Sequence, residues 1–76
     1  MMEANTPNEM FWNSSQIKIT KYNEEKKVLR VTFNNGSVYE YDGFPADLWL
    51  ELIKAESVGK FFYAKVKGIF PFTKIK

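Results

Sequence analysis

The stretch best equipped for chemistry is SVGKFFYAKVKG, residues 57–68, in which aromatic rings stand beside lysines and glycines. Ser57 and Gly59 lie at a predicted helix start, where free backbone N–H groups bind phosphate oxygens. Positive charge comes from three side chains, Lys60, Lys65 and Lys67. Lysines next to rings are typical of sites for nucleotides and single strands. The segment therefore favours a phosphorylated nucleotide ligand, and a helix with a plain solvated lysine face is the alternative.

A second pair of candidate ligand-binding residues, Tyr39 and Tyr41, stands two residues apart in a predicted strand, so both rings face the same side. Aromatic rings stack on bases, and Phe61 is a third candidate ring. The alternative is that the tyrosines extend the apolar row of Leu29 and Val31 into the core. Because buried hydroxyls need partners, we expect the tyrosine tips to reach the sheet edge or a ligand.

The side chains that most enzymes and metal sites use are missing. The chain contains no histidine and no cysteine, which removes the commonest zinc ligands and the usual general base. Its carboxylates are spaced like surface residues of a strand and a helix, without a calcium-loop pattern. No glycine-rich loop follows a strand in the way that phosphate-cradling motifs require. The sequence predicts a non-catalytic protein with no metal and no cofactor.

Positive charge is concentrated at the C-terminal end. Residues 1–53 carry five Lys/Arg and eight Asp/Glu, a net −3, whereas residues 54–76 carry six lysines and Glu56, a net +5. A basic end on a near-neutral domain suits an anionic partner. No stretch approaches the roughly 20 apolar residues that a membrane-spanning helix needs. We therefore expect a cytoplasmic location and no membrane partner.

Alternation of apolar and polar residues predicts three strands. The segment QIKITKY places Ile17 and Ile19 on one face of the first strand. The segments VLRVTF and VYEYDGF follow, and the NNGS between them is a strong hairpin signal. The 76 residues suffice for one small domain.

The length of the hairpin loop decides which faces of the strands coincide. A two-residue loop would mix carboxylates into the apolar face, whereas a three-residue loop at 34–36 aligns the apolar rows and makes opposite charges meet. Gly36 would then occupy the left-handed position of a type I turn with a bulge. We predict the three-residue loop, with the pairs Val31–Tyr39, Leu29–Tyr41 and Arg30–Glu40.

Two short helices are predicted next. Pro45 suits the first helical position of PADLWLELIKA, which carries a wide apolar stripe and has Lys54 in its last turn. Ser57 caps a second helix that runs toward Gly68. The final IFPFTKI is extended, and Pro71 permits only an edge strand or a loop. The fold class is therefore α+β, a small single domain with a three-stranded antiparallel meander, two short helices and an extended C-terminal segment.

The first residues read as a separate segment. Residues 1–13 are predicted to be an N-terminal tail and residues 14–76 the domain. Met10, Phe11 and Trp12 are large apolar side chains that are not expected to stay in water, so we expect them to dock on the domain or on a partner.

Several of these residues together resemble the KTSC domain, which is named after the C-termini of some lysyl-tRNA synthetases and also occurs alone in bacteria and phages. The resemblance spans roughly residues 14–75, and its most specific parts are Tyr39-x-Tyr41 and the Ala-x-Ser-x-Gly stretch that ends at Gly59. It implies an α+β fold, with RNA binding suggested by the synthetase context. This chain departs from the family pattern at Tyr63, where Asn is frequent, and at Phe70, near a position that often holds Tyr.

Residues and resemblance together predict a non-catalytic module for RNA, or for a small cyclic nucleotide sequestered by a phage-type sponge protein. A chain this short has little room for an enclosing pocket, so the second ligand predicts a site between subunits of a homo-oligomer. Four large apolar residues are candidates for that interface, namely Phe11, Trp12, Trp49 and Phe72. The alternative function is a protein-interaction module, such as a phage factor that inhibits a host protein.

Overall fold

The strands follow one another across a five-stranded antiparallel sheet in the order in which they occur along the chain. The computed structural model describes residues 6–76. This topology confirms the α+β class and the meander, and adds one short strand at each edge of the three that were expected. The elements are β1 (Glu9–Phe11), β2 (Ile17–Asn23), β3 (Val28–Phe33), β4 (Val38–Asp42), α1 (Ala46–Leu52), α2 (Val58–Lys65) and β5 (Phe72–Lys74).

The β3–β4 hairpin has the predicted three-residue loop. Val31 lies opposite Tyr39, and Arg30 lies opposite Glu40. The Arg30 Nη2 atom is 2.6 Å from the Glu40 Oε2 atom, so the opposite charges meet on the outer face. Gly36 has a φ of +91°, a backbone conformation that L side chains rarely adopt. The register confirms that matching of the apolar rows sets the pairing.

A β-bulge changes which side chains of β2 face the core, so the prediction that Ile17 and Ile19 share one face is wrong. The register against β3 shifts between Ile17 and Ile19, so one extra residue stands on β2. Ile17 is buried, but the bulge turns Ile19 away and places Thr20 and Tyr22 on the buried face. The Thr20 hydroxyl accepts a hydrogen bond of 2.9 Å from the Trp12 indole, which provides a partner for this buried polar side chain.

Strand β1 lies within residues 1–13, the segment that was predicted to be a tail. Its residues pair with β2, with Met10 opposite Thr20. Met10 and Trp12 pack against the core, as docking on the domain requires, whereas 71% of Phe11 is exposed. Residues 1–5 of the predicted tail lie outside the described residues.

The helices begin close to the predicted positions. Pro45 is the N-cap of α1, with φ −76° and ψ 151°, rather than its first helical residue. Helix α1 ends at Leu52, so Lys54 lies beyond its last turn. Ser57 caps α2 as predicted, because its hydroxyl accepts a hydrogen bond of 3.3 Å from the Lys60 backbone N–H. Neither helix in the described part of the chain is long and apolar enough to cross a membrane.

Both helices cover the same face of the sheet and form one core with it. Trp49 of α1 is 0% exposed and donates its indole N–H to the Pro7 carbonyl at 2.9 Å, so the expectation that it lines an interface is wrong. The Trp49 ring is buried because it stacks on the Tyr22 ring of β2, with 5.6 Å between the ring centroids. The core consists of Ile17, Tyr22, Leu29, Val31, Tyr41, Phe44, Trp49, Leu52, Val58, Phe62 and Val66.

Candidate functional site

A groove of about 320 Å³ lies between the C-terminal half of α2 and the edge formed by β4 and β5. We call it the aromatic groove. Six of its ten lining residues carry rings, and none of the ten is acidic. The lining consists of Phe33, Asn35, Ser37, Tyr39, Tyr41, Phe62, Tyr63, Lys67, Gly68 and Phe72.

The rings of the groove come from neighbouring strands in register. Because Tyr39 and Tyr41 are two apart on β4, their rings stack with centroids 6.4 Å apart and 23° between their planes. Strand β5 places Phe72 opposite Tyr41. The Phe72 ring lies 5.4 Å from the Tyr39 ring and 5.9 Å from the Tyr41 ring, and 59% of Phe72 is exposed. The groove therefore offers an accessible ring beside two tyrosines.

Tyr41 combines a buried ring with a hydroxyl that has no hydrogen-bond partner in the described part of the chain. Only 4% of the residue is exposed, and its ring packs edge-on against Phe62 at 5.5 Å. Within residues 6–76 no hydrogen bond to its hydroxyl is present, and no fully buried side-chain oxygen is left without a partner. The small exposed part of Tyr41 therefore includes the hydroxyl, at the groove surface. Burial, followed by the neighbouring phenols of Tyr39 and Tyr63, raises the pKa of Tyr41, so it is protonated at neutral pH.

Two lysines bring positive charge to the aromatic groove. The Lys67 Nζ atom lies 4.8 Å from the centroid of the Tyr63 ring, and the Lys74 Nζ atom lies 6.0 Å from that of Tyr39. Cations at these distances are attracted by the negative face of the ring. The groove therefore presents rings and positive charge together, which suits an anionic ligand with a flat aromatic part.

The sequence-predicted ligand residues are divided between two places. Tyr39, Tyr41 and Lys67 line the aromatic groove. The other four predicted residues, Ser57, Lys60, Phe61 and Lys65, do not line it.

Those four residues have other surroundings. Ser57 is the N-cap of α2 and Lys60 lies in its first turn, where a Cβ on Gly59 would lie 3.7 Å from the Gln16 Oε1 atom. Phe61 is half-buried against the core, and Lys65 is exposed in the last turn. The groove is lined by Phe62 and Tyr63 from the second half of α2, and not by the residues at its start. Of the predicted phosphate-binding residues, Lys67 alone lies in the groove with the tyrosines.

Most of the groove's rim was not predicted from the sequence as a ligand site. Phe72 and Lys74 share the side of β5 that faces the tyrosines, because they are two residues apart in a strand paired with β4. A ring and a lysine two residues apart in FTK, next to the basic C-terminus, are the sequence signal for this rim. The signal indicates a binding site only when β5 is known to pair with β4. Asn35 and Ser37 belong to the β3–β4 turn, and their residue types predict the geometry of the turn but no contact with a ligand.

A larger concavity, with a different kind of lining, lies elsewhere. It measures about 550 Å³ and includes the outer-face pair Arg30 and Glu40. Its charged lining residues balance, with three basic and three acidic side chains, namely Lys21, Lys26, Arg30, Glu24, Glu25 and Glu40. Mixed charges do not select a ligand of one sign, so size does not make it the better site. In the described residues no group of three His, Cys, Asp or Glu side chains could hold a metal ion.

Comparison with known proteins places this arrangement in a family. The model of the KTSC domain matches residues 13–70. The chain is similar to the crystal structure of a KTSC domain protein from Yersinia pestis, with a TM-score of 0.83, 30% identity, and coverage of 90% of this chain and 96% of that one.

Two further relatives extend the comparison. An uncharacterized protein of Stutzerimonas stutzeri is 33% identical over 49 residues, 64% of this chain and 69% of its own length. A lysine–tRNA ligase of Trichormus variabilis is 36% identical over 61 residues, 80% of this chain but 11% of the ligase. The matched residues 13–70 include the β2–β4 meander and both helices, and on that match the chain belongs to the KTSC domain family.

Proposed function

We propose that this protein is a non-catalytic binding module whose aromatic groove holds a phosphorylated nucleotide ligand, single-stranded RNA above all. The observation that carries the proposal is Tyr41, whose ring is buried while its hydroxyl has no partner among the described residues and lies in a groove lined by rings and Lys67. A polar group at the surface of a mostly apolar groove is typical of sites that orient a ligand. The proposed setting is the cytoplasm.

Different residues of the groove bind the base and the phosphates of the ligand. Phe72 is the most exposed groove ring, and a base stacks on it beside Tyr39. Stacking on an aromatic side chain contributes about 1–3 kcal/mol per base and tolerates different sequences. Lys67 and Lys74 bind the phosphates on either side of that base. The Tyr41 hydroxyl donates to or accepts from a polar atom of the ligand.

Two forms of the ligand share this chemistry. RNA is favoured by the relatives, because a lysine–tRNA ligase contains a matching segment. A small cyclic nucleotide would suit a sponge protein, but a groove of about 320 Å³ is at the low end of the roughly 300–1,000 Å³ typical of ligand pockets. That form would need a second copy of the chain to enclose the ligand, with the exposed Phe72 at the interface.

Charge reversal with a matched control tests the proposal. The double variant Lys67→Glu, Lys74→Glu should weaken binding of a labelled single-stranded RNA hexamer at least ten-fold, measured by fluorescence anisotropy. The control Lys21→Glu, Lys26→Glu makes the same charge change at the 550 Å³ concavity and should change affinity less than three-fold. Binding of the unmodified protein should fall steeply with salt, because lysine–phosphate contacts release counterions. Equal losses in both variants would contradict a site at the groove.

Native mass spectrometry separates the two ligand forms. The protein is incubated with short RNAs and a panel of cyclic nucleotides, and the spectrum gives ligand mass and oligomeric state together. An RNA adduct on the monomer supports the first form, and a cyclic-nucleotide adduct of fixed stoichiometry on a homo-oligomer supports the second. No adduct with either ligand class would contradict the proposal.

A protein-interaction module is the second candidate, such as a phage factor that inhibits a host protein. Its support is the distribution of exposed apolar side chains, since four of the five large ones among the described residues fall within 63–75, namely Tyr63, Ile69, Phe72 and Ile75. In that case the variant Lys67→Glu, Lys74→Glu would keep its biological effect. Loss of that effect in the same variant favours the nucleotide ligand.

A further inference from the structure

We propose that the aromatic groove distinguishes bases by their exocyclic group, and prefers a carbonyl (uracil, guanine) to an amino group (cytosine, adenine). The discriminating residue is Asn35 in the β3–β4 turn, whose amide oxygen accepts a hydrogen bond within the turn and whose amide donors have no partner among the described residues. This inference rests on the proposed nucleotide function and deepens it.

The geometry of the turn sets the orientation of the Asn35 amide. The Ser37 backbone N–H donates a hydrogen bond of 2.9 Å to the Asn35 Oδ1 atom. The Phe33 carbonyl accepts from the Gly36 N–H at 3.0 Å, and Gly36 has a φ of +91°, which hold the turn in place. The amide oxygen therefore has a partner, whereas no hydrogen bond from the Nδ2 group is present within residues 6–76, so its two donors are available to a ligand.

The neighbouring asparagine shows the contrast. Asn34 uses its Nδ2 group to donate a 2.7 Å hydrogen bond to the Ser14 carbonyl, so its donors are occupied by the fold. Asn34 does not line the groove, whereas Asn35 and Ser37 do. Two adjacent residues of the same type thus have separate tasks, one structural and one available to a ligand.

The other polar groups of the groove do not discriminate in the same way. The hydroxyls of Ser37 and Tyr41 both donate and accept, so they adapt to either kind of base edge. None of the groove-lining residues is a carboxylate, which would prefer the amino group of cytosine or adenine. Lys67 also carries only donors, but it is assigned to a phosphate, so Asn35 is the residue whose donors favour one exocyclic group over the other.

Base chemistry then gives the direction of the preference. An asparagine with both amide ends free binds adenine through a donor and an acceptor together. Because the Ser37 N–H already uses one lone pair of its oxygen, Asn35 is a weaker acceptor for the amino group of cytosine or adenine, whereas the O4 atom of uracil or the O6 atom of guanine accepts from its free donors. A lost hydrogen bond to a base edge changes affinity about five-fold or more.

The test compares a uridine hexamer with a cytidine hexamer, which differ at this exocyclic group and at N3. The unmodified protein should bind the uridine hexamer about five-fold more tightly in fluorescence anisotropy. Asn35→Asp keeps an acceptor for the Ser37 N–H but replaces the donors with an acceptor, so the ratio should fall to one or invert. Asn23→Asp adds the same charge outside the groove, keeps an acceptor for the Lys26 N–H, and should keep the ratio.

The outcomes separate this inference from the proposed function. Equal affinity of the unmodified protein for the two hexamers, or a cytidine preference, overturns the inference and leaves the nucleotide function standing. Binding of neither hexamer overturns both. If Asn35→Asp does not fold, judged by circular dichroism, Asn35→Ser removes the amide donors and keeps a hydroxyl acceptor for Ser37. A uridine preference that persists in the folded variant also overturns the inference.

Discussion

Two tyrosines with similarly buried rings, Tyr22 and Tyr41, define two regions of the core that differ in whether the hydroxyl has a hydrogen-bond partner. Around Tyr22, the Trp49 ring stacks at 5.6 Å and the Phe44 ring packs edge-on at 6.0 Å. The Tyr22 hydroxyl donates to the Phe44 carbonyl at 2.5 Å, so this region is closed. Around Tyr41, the rings of Phe62 and Phe72 pack at similar distances, but the hydroxyl opens onto the aromatic groove without a partner among the described residues.

This difference indicates that the Tyr22 region stabilises the fold, whereas the Tyr41 region leaves a polar group available to a ligand. A buried hydroxyl with its hydrogen bond made adds to the free energy of unfolding. A hydroxyl left at the surface of an apolar groove adds little to it and is available for binding. We therefore expect substitutions in the Tyr22 region to change stability, and substitutions in the Tyr41 region to change ligand affinity.

The largest expected effect is on Trp49. Trp49→Ala should lower the free energy of unfolding by about 3–5 kcal/mol, because it removes a fully buried ring and leaves a cavity. Phe72→Ala is the matched change in the Tyr41 region and should cost less than about 1 kcal/mol, since 59% of that residue is already exposed. Urea denaturation measures both. Similar losses would remove the distinction between the two regions.

The two hydroxyls give the next largest difference. Tyr22→Phe should cost about 1–3 kcal/mol, because the Phe44 carbonyl loses its buried donor. Tyr41→Phe should stay within about 0.5 kcal/mol of the unmodified protein and should weaken RNA binding instead. Denaturation and anisotropy on the same two variants check this. A stability loss in Tyr41→Phe as large as that in Tyr22→Phe would show that its hydroxyl has a structural role.

The start of α2 lies outside the aromatic groove and supplies a smaller effect. Ser57→Ala should cost about 1 kcal/mol, because the Lys60 N–H loses its cap, while Ser57→Asp should retain stability. Neither variant should change RNA affinity measured by anisotropy. A fall in affinity with Ser57→Ala at unchanged folding would restore this residue to the binding site.

The raised pKa values of Tyr22 and Tyr41 have the smallest effect on stability at neutral pH and a clear effect at alkaline pH. Burial raises the pKa of both Tyr22 and Tyr41 above the ordinary value near 10, and Glu24 and Asp47 raise that of Tyr22 further. The unfolded chain releases these protons first, so the stability they provide is complete below pH 10 and is lost as the pH rises further. Tyr22→Phe or Tyr41→Phe should flatten this decline in denaturation curves from pH 9 to 11. An unchanged slope would contradict the raised pKa values.

Much of the fold could be predicted because local rules agree with one another. The loop at residues 34–36 followed from matching apolar rows, and the Ser57 cap followed from its residue type ahead of α2. The bulge in β2 could not be predicted, because the pairing with β3 rather than the alternation of QIKITKY decides that Thr20 is buried. Of the predicted ligand residues, Tyr39, Tyr41 and Lys67 line the groove, whereas the residues at the start of α2 do not.

Residue types and their spacing establish the lack of histidine and cysteine and the basic C-terminal end, and they predict the α+β class and the hairpin register. Only the folded structure shows that Phe72 and Lys74 lie beside the tyrosines, that Trp49 is core, and that the Tyr41 hydroxyl has no partner within residues 6–76. The physical reason is that these properties depend on contacts between residues far apart along the chain. A pattern in one segment does not specify which distant segment will pack against it.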